Sequence, residues 1–391
     1  MPTNTIFMGE IPLGKLFFMR LENAFLLALE NATLEVVSDF DNLESELDAW
    51  CRLKGEKFIQ KTPLKHCFSY TLQKQSKNAF TPLKTDSILS LAPSNFGLSA
   101  RDSIPQIASP EYDFMLSHKE SVWSENLTRL YEDSKAAQWN ATSEIEWGAI
   151  PTYDKSLEFA ISQVMTYLVE NEFSALYVPA KFLPKVSPYY TEVPLLLSSI
   201  IGDEARHIEV FIKRAKATGL GLQYSTLTTQ QSLYTLFKEK NYFVSSFLLH
   251  IMGEGTFVDL LHFLEEHIPD APTKKLLRLA RKDEMRHVAY GMAHIKQGLS
   301  ANPNKIALLK RSVLERRSYL DELSGESTLL LESLAVIAGG GNSPNAIKRG
   351  FEALEELKKK MEKNRTKRLI ECRIDEELAR ELSKAHTPNF M

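Results

Sequence analysis

The spacing of apolar residues changes along this 391-residue chain. Up to about residue 75, short apolar runs typical of strands alternate with two segments of helical periodicity, near residues 14–29 and 43–54. The runs are IFMGEIPL, ATLEVVSD, EKFIQKT and HCFSYTLQK. This pattern predicts a small N-terminal α/β two-layer domain over residues 1–75, with the element order β-α-β-α-β-β.

Long apolar stripes with helical spacing dominate the rest of the chain. Residues 76–115 are rich in Ser, Pro and Asn and lack sustained periodicity, so we predict a linker there. We predict a helical bundle over residues 116–335 and a C-terminal helical extension over 336–391, whose mixed charges suit a solvated helix or hairpin. Prolines and glycines divide the bundle into helices at 117–138, 155–178, 189–216, 228–266, 272–299 and 304–335.

Composition narrows the function classes. The net charge of −3 comes without a basic cluster, which argues against nucleic-acid binding. The three cysteines form no CxxC pair, a usage that fits a reducing compartment. The N-terminus lacks the pattern of a signal peptide, and no uninterrupted apolar run is long enough for a membrane span. We therefore expect a cytoplasmic protein that does not bind membranes.

One charged motif occurs twice in the predicted bundle, as DEARH at residues 203–207 and DEMRH at 283–287. Residues three apart lie on one face of a helix, so Glu204 with His207, and Glu284 with His287, can each direct an oxygen and a nitrogen to one point. A single ExxH pattern is common on solvated helices. Two copies within largely apolar helices favour a metal site instead.

Each motif follows an apolar helix that carries an isolated carboxylate, at Glu172 and at Glu254. A carboxylate in an apolar stripe is costly to bury unless it is paired or bound to metal. Helical hairpins that turn at Pro188 and Pro269 would bring each glutamate level with its own motif. Glu172 is preferred over Glu170 because it continues the apolar stripe, and Glu170 is the alternative.

The predicted ligands are four carboxylates and two imidazoles. Two divalent ions would neutralise the four negative charges, and a donor set without thiolate suits two iron ions, with manganese as the alternative. No catalytic residue beyond the metal ligands is predicted. The ligands are Glu172, Glu204, His207, Glu254, Glu284 and His287.

These motifs resemble the non-haem di-iron carboxylate superfamily, particularly the hydroxylase large subunits of bacterial multicomponent monooxygenases. Those proteins carry an E-aromatic-x-A segment, a DExRH motif, a lone Glu, and a second DExRH followed by A-x-G, which Ala289 and Gly291 match here. The resemblance implies a ferritin-like bundle. It also implies that Asp203 and Asp283 accept hydrogen bonds from the ligand histidines. Arg206 and Arg286 would pair with these aspartates, and plain surface ion pairs are the alternative.

The resemblance implies an O2-dependent oxygenase or oxidase that hydroxylates, N-oxygenates or desaturates a small organic substrate. Electrons would come from a separate reductase or ferredoxin, because no flavin, nicotinamide or iron-sulfur motif is evident. A ferroxidase is one alternative, although the N-terminal module and the C-terminal extension suit a closed cage poorly. A radical-generating subunit is disfavoured by Phe211, which replaces a tyrosine. A metal-holding interaction protein is the third alternative, and a homodimer is an expected assembly.

The N-terminal module resembles the TusA-like sulfur-carrier family. Its matching stretches are Gly9-Glu10-Ile11-Pro12, Val37-Ser38-Asp39 and Ala49-Trp50-Cys51. Ile11 stands where that family carries its sulfur-accepting cysteine. The resemblance therefore implies a module that has lost sulfur transfer and serves docking or dimerisation.

Polar residues beside the predicted site are interpreted more simply. His250 is expected to be a satisfied core or surface histidine, with a cavity-lining role as the alternative, and Glu209 and Asp259 are expected to be solvated. Seven apolar residues would line a substrate pocket or form ordinary bundle core. They are Met165, Val169, Phe173, Phe247, Ile251, Phe257 and Leu261.

Overall fold

The computed structural model describes residues 4–80, 87–323 and 327–386. The chain divides into two compact units, one formed by Met1–Ser87 and Ser94–Tyr112 and the other by Ile88–Pro93 and Asp113–Met391. The fold is mainly helical with a small N-terminal sheet, as the sequence predicts. The domain boundaries at residues 75, 115 and 335 stay predictions.

The N-terminal unit contains the predicted series of strands and helices. β1 is parallel to β2, and β4 lies antiparallel between β2 and β3, so the strand order is β1-β2-β4-β3. Phe17, Leu21 and Phe25 of the first helix are buried in the core of this unit. The elements are β1 (Thr5–Gly9), α1 (Lys15–Leu27), β2 (Thr33–Ser38), α2 (Glu44–Lys54), β3 (Lys57–Pro63) and β4 (Phe68–Gln73).

Among the described residues of the second unit, all regular secondary structure is helical apart from isolated β-bridges. A π-helical segment, Phe247–Gly253, joins α8 to α9. The α-helices are α3 (Lys119–Val122), α4 (Leu127–Ala136), α5 (Lys155–Phe182), α6 (Glu192–Lys216), α7 (Leu227–Phe237), α8 (Tyr242–Ser246), α9 (Glu254–His267), α10 (Ala271–Ala301), α11 (Lys305–Leu323), α12 (Thr328–Gly339), α13 (Pro344–Glu371) and α14 (Glu376–Ala385).

The two predicted hairpins are present. α5 packs along α6, and the turn between them contains a short 3₁₀ helix at Pro188–Tyr190. α9 packs along α10. Asp270 follows Pro269 and caps α10 by accepting a hydrogen bond from the backbone N–H of Thr273 at 2.7 Å. Proline and capping residues therefore set both turns at the predicted positions.

The prediction of one helix over residues 228–266 is wrong. α7 ends at Phe237, and the chain starts again at α8, where the Asn241 side chain accepts a hydrogen bond from the Val244 N–H and caps the new helix. The π-helical segment then interrupts the regular hydrogen-bond pattern. The first interruption coincides with the polar stretch KEKN at residues 238–241, whereas the largely apolar sequence FLLHIMG gives no sign of the second.

The charged C-terminal region forms a helical hairpin of α13 and α14. Leu354, Leu357 and Met361 of α13 are buried in the same core cluster as Leu330 and Leu334 of α12. This hairpin therefore has one solvated face and one face that belongs to the bundle core.

Among the described residues, one helical stretch, Tyr242–His267, is long and apolar enough to cross a membrane. Within its most apolar window, 89% of the residues are buried inside the structure. Packing against neighbouring helices thus accounts for its apolar composition.

Candidate metal centre

Four helices bring the six predicted ligands together in the interior of the helical unit. Glu172 comes from α5, the first ExxH pair from α6, Glu254 from the first turn of α9, and the second ExxH pair from α10. All six side chains are at most 1% exposed. Glu170, the alternative to Glu172, is not part of the cluster.

The cluster contains two overlapping groups of ligand atoms. Glu172 and His207 belong to one group, and Glu254 and His287 to the other, while Glu204 and Glu284 belong to both. Within each group the ligand atoms lie within 4.8 Å of one another. Each group thus combines one terminal carboxylate and one imidazole with two shared carboxylates. This is the donor arrangement that holds a pair of metal ions bridged by carboxylates.

Unsatisfied atoms show that the cluster fits metal. The His287 Nδ1 lies 2.9 Å from Glu204 Oε1, and the His207 Nδ1 lies 3.3 Å from Glu204 Oε2, yet neither contact has hydrogen-bond geometry. Buried polar atoms are rarely left without partners. Eight buried atoms of the ligands have no hydrogen-bond partner among the described residues: Glu172 Oε1, both carboxylate oxygens of Glu204 and of Glu284, Glu254 Oε1, and Nδ1 of His207 and His287.

The chemistry of these donors indicates which metals suit the cluster. Oxygen and imidazole ligands without thiolate suit iron or manganese. Four carboxylates can balance two divalent cations, whereas four buried negative charges without cations would repel one another. The cluster is therefore able to bind two metal ions, as the sequence predicts.

The aspartates of the two motifs orient the histidines reciprocally. The Nε2 of His207 lies 3.1 Å from Asp283 Oδ2, and the Nε2 of His287 lies 3.3 Å from Asp203 Oδ2. Each aspartate thus accepts the Nε2–H of the histidine on the other helix, which leaves both Nδ1 atoms free to bind metal. The motif sequence predicts aspartate partners but does not show that they are exchanged between α6 and α10.

The arginines of the motifs bind both aspartates. Arg206 donates to Asp203 and, at 2.9 Å, to Asp283. Arg286 donates to Asp203 at 3.1 Å and to Asp283 at 2.6 Å. Burial raises the pKa of both aspartates, but hydrogen bonds from the histidines and the charges around them bring the pKa of each below its usual value. The alternative of plain surface ion pairs is wrong, since Arg206 is 9% exposed and both aspartates 1%.

Two residues of this network were missed by sequence reasoning. Trp139 follows the end of α4, and its Nε1–H donates to Asp283 at 2.8 Å. Gln138 donates to Asp203 at 3.2 Å and accepts from Arg206 at 2.7 Å. Neither residue belongs to a motif, and no sequence signal pointed to them because their partners lie on distant helices.

His250, which lies in the π-helical segment, contacts the predicted ligand Glu254. Its Nδ1 lies 2.7 Å from Glu254 Oε2, and the side chain is 2% exposed. Burial lowers the pKa of His250 to about 3, so its neutral ring donates to the carboxylate. A Cβ on Gly291 would lie 2.4 Å from the Cβ of His250, which explains why α10 has glycine there. π-Helical turns often occur at functional sites.

The charges within the cluster shift the pKa values of their neighbours. Burial raises the pKa of Glu172, and the charge of Glu204 raises it further. Burial also raises the pKa of Glu254. Burial opposes the ionisation of Glu204 as well, but the His287 imidazole holds the pKa of Glu204 well below its usual value. For His207 and His287, burial lowers the pKa, and the surrounding carboxylates outweigh it and raise the pKa well above the ordinary value.

Some sequence-based expectations beside the cluster are wrong. Asp259 is 5% exposed, not solvated, and accepts a hydrogen bond from Asn364 at 2.7 Å. Its environment was missed because Asn364 lies on α13. Phe173 is 42% exposed and lies outside the core, while Glu209 is exposed and pairs with Lys213, as expected. The other six residues predicted to form a pocket or core are at most 4% exposed.

No protein-family model matches this chain, and no curated protein matches it. Solved structures of R2-like ligand-binding oxidases do resemble it. A glycine-to-leucine variant with an aerobically reconstituted Fe/Fe cofactor aligns with a TM-score of 0.50 and 16% identity, over 65% of this chain and 95% of that chain. A valine-to-leucine variant with an aerobically reconstituted Mn/Fe cofactor aligns with a TM-score of 0.47 and 14% identity, over 66% and 94%. The first likeness shows that this chain contains a ferritin-like helical fold.

Proposed function

We propose that this chain is an O2-dependent non-haem di-iron oxygenase or oxidase that acts on a small organic substrate. The observation that carries the proposal is the convergence, from four helices, of eight buried ligand atoms that have no hydrogen-bond partner in the described part of the chain; they belong to two overlapping groups able to hold metal. When bound, two ferrous ions supply the electrons with which O2 is activated for hydroxylation, N-oxygenation or desaturation.

The residues of this chain would prepare the centre for that chemistry. Glu204 and Glu284 would help to hold both metal ions, since each belongs to both ligand groups. Asp203 and Asp283 accept hydrogen bonds from the Nε2–H groups of the histidines, so that both Nδ1 atoms point toward the cluster. The surrounding apolar core excludes water, which protects reactive species from side reactions.

Electrons for this chemistry would come from a separate reductase or ferredoxin. We base this proposal on the sequence, in which no flavin, nicotinamide or iron-sulfur motif is evident. The external donor would have to deliver two electrons for each O2 consumed by a monooxygenase.

We propose a non-catalytic role for the N-terminal unit, as a TusA-like module that serves docking or dimerisation. Ile11 and Pro12 precede α1, where the resembling family places its Cys-Pro pair, and an isoleucine cannot carry a persulfide. Burial raises the pKa of the Cys51 thiol to about 12, so this cysteine does not replace the missing nucleophile. Incubation with a persulfide donor should add no sulfur at Cys51, as measured by mass spectrometry of the peptide that contains it.

Metal analysis of natively purified protein, combined with O2 consumption after reduction, tests the proposed function. We expect two metal ions per chain and O2 uptake by the reduced protein, with mass spectrometry identifying any co-purified substrate or product. Glu204→Ala should abolish both. The matched control is Glu209→Ala, which removes an exposed glutamate from the same helix.

Two outcomes would contradict the proposal. A metal-loaded protein that consumes no O2 with any reductant would favour a metal-holding interaction protein. Rapid iron uptake into a large multimeric shell would favour a ferroxidase.

A further inference from the structure

An aromatic groove of about 360 Å³ opens at α5 and α7. Its walls carry Phe173 and Tyr177 from α5, and Tyr234 and Phe237 from α7. These four rings are 42%, 52%, 54% and 54% exposed, respectively. Four large aromatic side chains exposed around one concave surface are typical of a binding site rather than of ordinary protein surface.

The rings present their faces in two directions. Phe173 and Tyr177 are one helical turn apart and nearly parallel, with ring centroids 6.3 Å apart and an interplanar angle of 24°. Phe237 stands almost perpendicular to Tyr177, at 6.5 Å and 80°. The face of an aromatic ring carries partial negative charge, so such a wall attracts cations as well as apolar groups.

An acid and a hydroxyl group complete the lining. Glu170 is half-buried, accepts a hydrogen bond from Gln230 at 3.2 Å, and forms no ion pair with Lys or Arg in the described part of the chain. Ser174 is 7% exposed, and its buried Oγ has no hydrogen-bond partner among the described residues. The groove thus offers one carboxylate without a neighbouring cation and one unsatisfied hydroxyl.

We infer that this groove binds an organic ammonium ion, either quaternary or protonated. The carboxylate of Glu170 matches the charge of such a ligand, and the ring faces suit its alkyl groups through cation–π attraction. Two neighbouring lysines already contact these rings, since the Lys181 Nζ lies 5.7 Å from the centroid of Phe237 and the Lys238 Nζ lies 5.5 Å from that of Tyr234. Lys181 does not line the groove, because the carbonyl oxygens of Phe237 and Glu239 hold its ammonium group, each at 2.7 Å.

The ammonium site is separate from the metal cluster. Residues 170, 173, 174 and 177 follow the i, i+3, i+4, i+7 spacing of a single helix face. Successive residues of a helix are turned by about 100°, so Glu172 lies on a different face from these four residues. Glu172 is 1% exposed and lies in the interior. The ligand of the groove is therefore not positioned for oxidation at the metal cluster, and the inference is independent of the proposed function.

A matched pair of probes tests the ligand class on the full-length protein. Choline carries a quaternary ammonium group, and 3,3-dimethylbutan-1-ol is its neutral carbon analogue with nearly the same shape. Saturation-transfer NMR and calorimetric titration should detect choline binding, with the neutral analogue at least about tenfold weaker. Equal affinity for both probes, or no binding of choline, would overturn the inference.

Substitutions locate the site. Glu170→Gln removes the charge, and Tyr234→Leu removes a ring face but keeps an apolar wall, so each should weaken choline binding by about 5- to 30-fold. The control Glu266→Gln removes an exposed acid from α9 and should bind choline normally. Unchanged choline affinity in both groove variants would contradict the assignment.

A second copy of the chain could cover the same rings, and sedimentation velocity distinguishes this case. The ammonium site predicts the same sedimentation coefficient for wild type and Tyr234→Leu. Dissociation of a dimer by that substitution, without choline binding to the wild type, would identify the groove as a subunit interface and overturn the inference.

Discussion

Substitution of Glu172 and of Glu204 should affect the stability of chelator-treated protein very differently, although both residues belong to the predicted ligand set. Burial and the charge of Glu204 raise the pKa of Glu172, so without metal its carboxyl group takes up a proton more readily than an ordinary glutamate does. Glutamine has nearly the shape of that protonated group. Glu204 is held ionised beside His287, so glutamine there removes a charge that the buried imidazolium needs.

The distance between His287 and Glu204 indicates how strongly the two substitutions should differ in their effect on the free energy of unfolding. The His287 Nδ1 and Glu204 Oε1 are 2.9 Å apart, and both residues are at most 1% exposed. Removing one partner of a buried ion pair costs about 3–5 kcal/mol. We therefore expect Glu204→Gln to lower the free energy of unfolding of the metal-free protein by about 3–5 kcal/mol. Glu172→Gln should change it by less than about 1 kcal/mol.

The pH dependence of this stability difference follows from the direction in which the pKa of Glu204 is shifted. Because the folded-state pKa of Glu204 is lowered, its stabilising effect is present at neutral pH and is lost as the pH falls through that lowered value. The difference between wild type and Glu204→Gln should thus shrink in acid. The neighbouring histidines keep their protons over the same interval, since the pKa of each is raised.

Urea unfolding of chelator-treated protein measures these differences, and elemental analysis of untreated protein shows that both variants lose paired metal. Glu209→Gln is the control for loss of a carboxylate from α6, because Glu209 is exposed. Equal destabilisation by Glu172→Gln and Glu204→Gln would refute the reasoning. So would a metal-free Glu204→Gln protein that is more stable than wild type.

Three further predictions concern the surroundings of the ligands. Asp283→Asn should weaken metal binding beside His207 by about 10- to 100-fold, and Asp203→Asn should act in the same way beside His287, as measured by cobalt titration and absorption spectroscopy. Loading two metal ions should release about two to four protons, so apparent affinity should rise with pH, as measured by calorimetry in buffers of different ionisation enthalpy. Gly291→Ala should lower the free energy of unfolding by about 1–3 kcal/mol, because its Cβ would overlap the π-helical segment, and thermal unfolding measures this loss.

Each of these predictions has a contrary result. Asp133→Asn is the control for the aspartate variants, since Asp133 is half-exposed on α4 and pairs only with Arg129 among the described ion pairs. Loss of the same metal position in both motif variants would contradict the reciprocal pairing. Metal loading without proton release would mean that the histidines are already neutral. An unchanged stability of Gly291→Ala would show that the π-helical segment yields easily to an added methyl group.

The clustering of the six predicted ligands could be predicted from sequence because its geometry is local. The i, i+3 spacing fixes Glu204 with His207, and prolines near each turn fix how far a hairpin partner lies along its helix. Glu172 and Glu254 could therefore be placed from distances along the chain alone. The β-α-β-α-β-β order of the N-terminal unit was predictable for a similar reason, since period-two and period-3.6 segments alternate there.

The surroundings of the ligands depend on tertiary contacts that the sequence does not encode locally. Trp139 reaches Asp283 across 144 positions, and Asn364 reaches Asp259 across 105. The π-helical segment likewise gives no sequence signal, because it is largely apolar and its apolar spacing shows no change of period. Helix pairing decides these features, and a pattern within one helix carries no information about its partner.

The exchange of aspartates between α6 and α10 makes the two halves of the metal centre interdependent. Each histidine obtains its orientation from the opposite motif, and Glu204 and Glu284 each belong to both ligand groups. Neither ExxH helix therefore forms a prepared metal position without the other. Because Glu204 and Glu284 belong to both groups, binding of an ion at one group would also position these carboxylates for the other, and it would relieve part of the repulsion between the carboxylates. The same contacts join the helices that the chain must bring together during folding, so metal affinity and the stability of the α6–α10 pairing depend on one set of side chains.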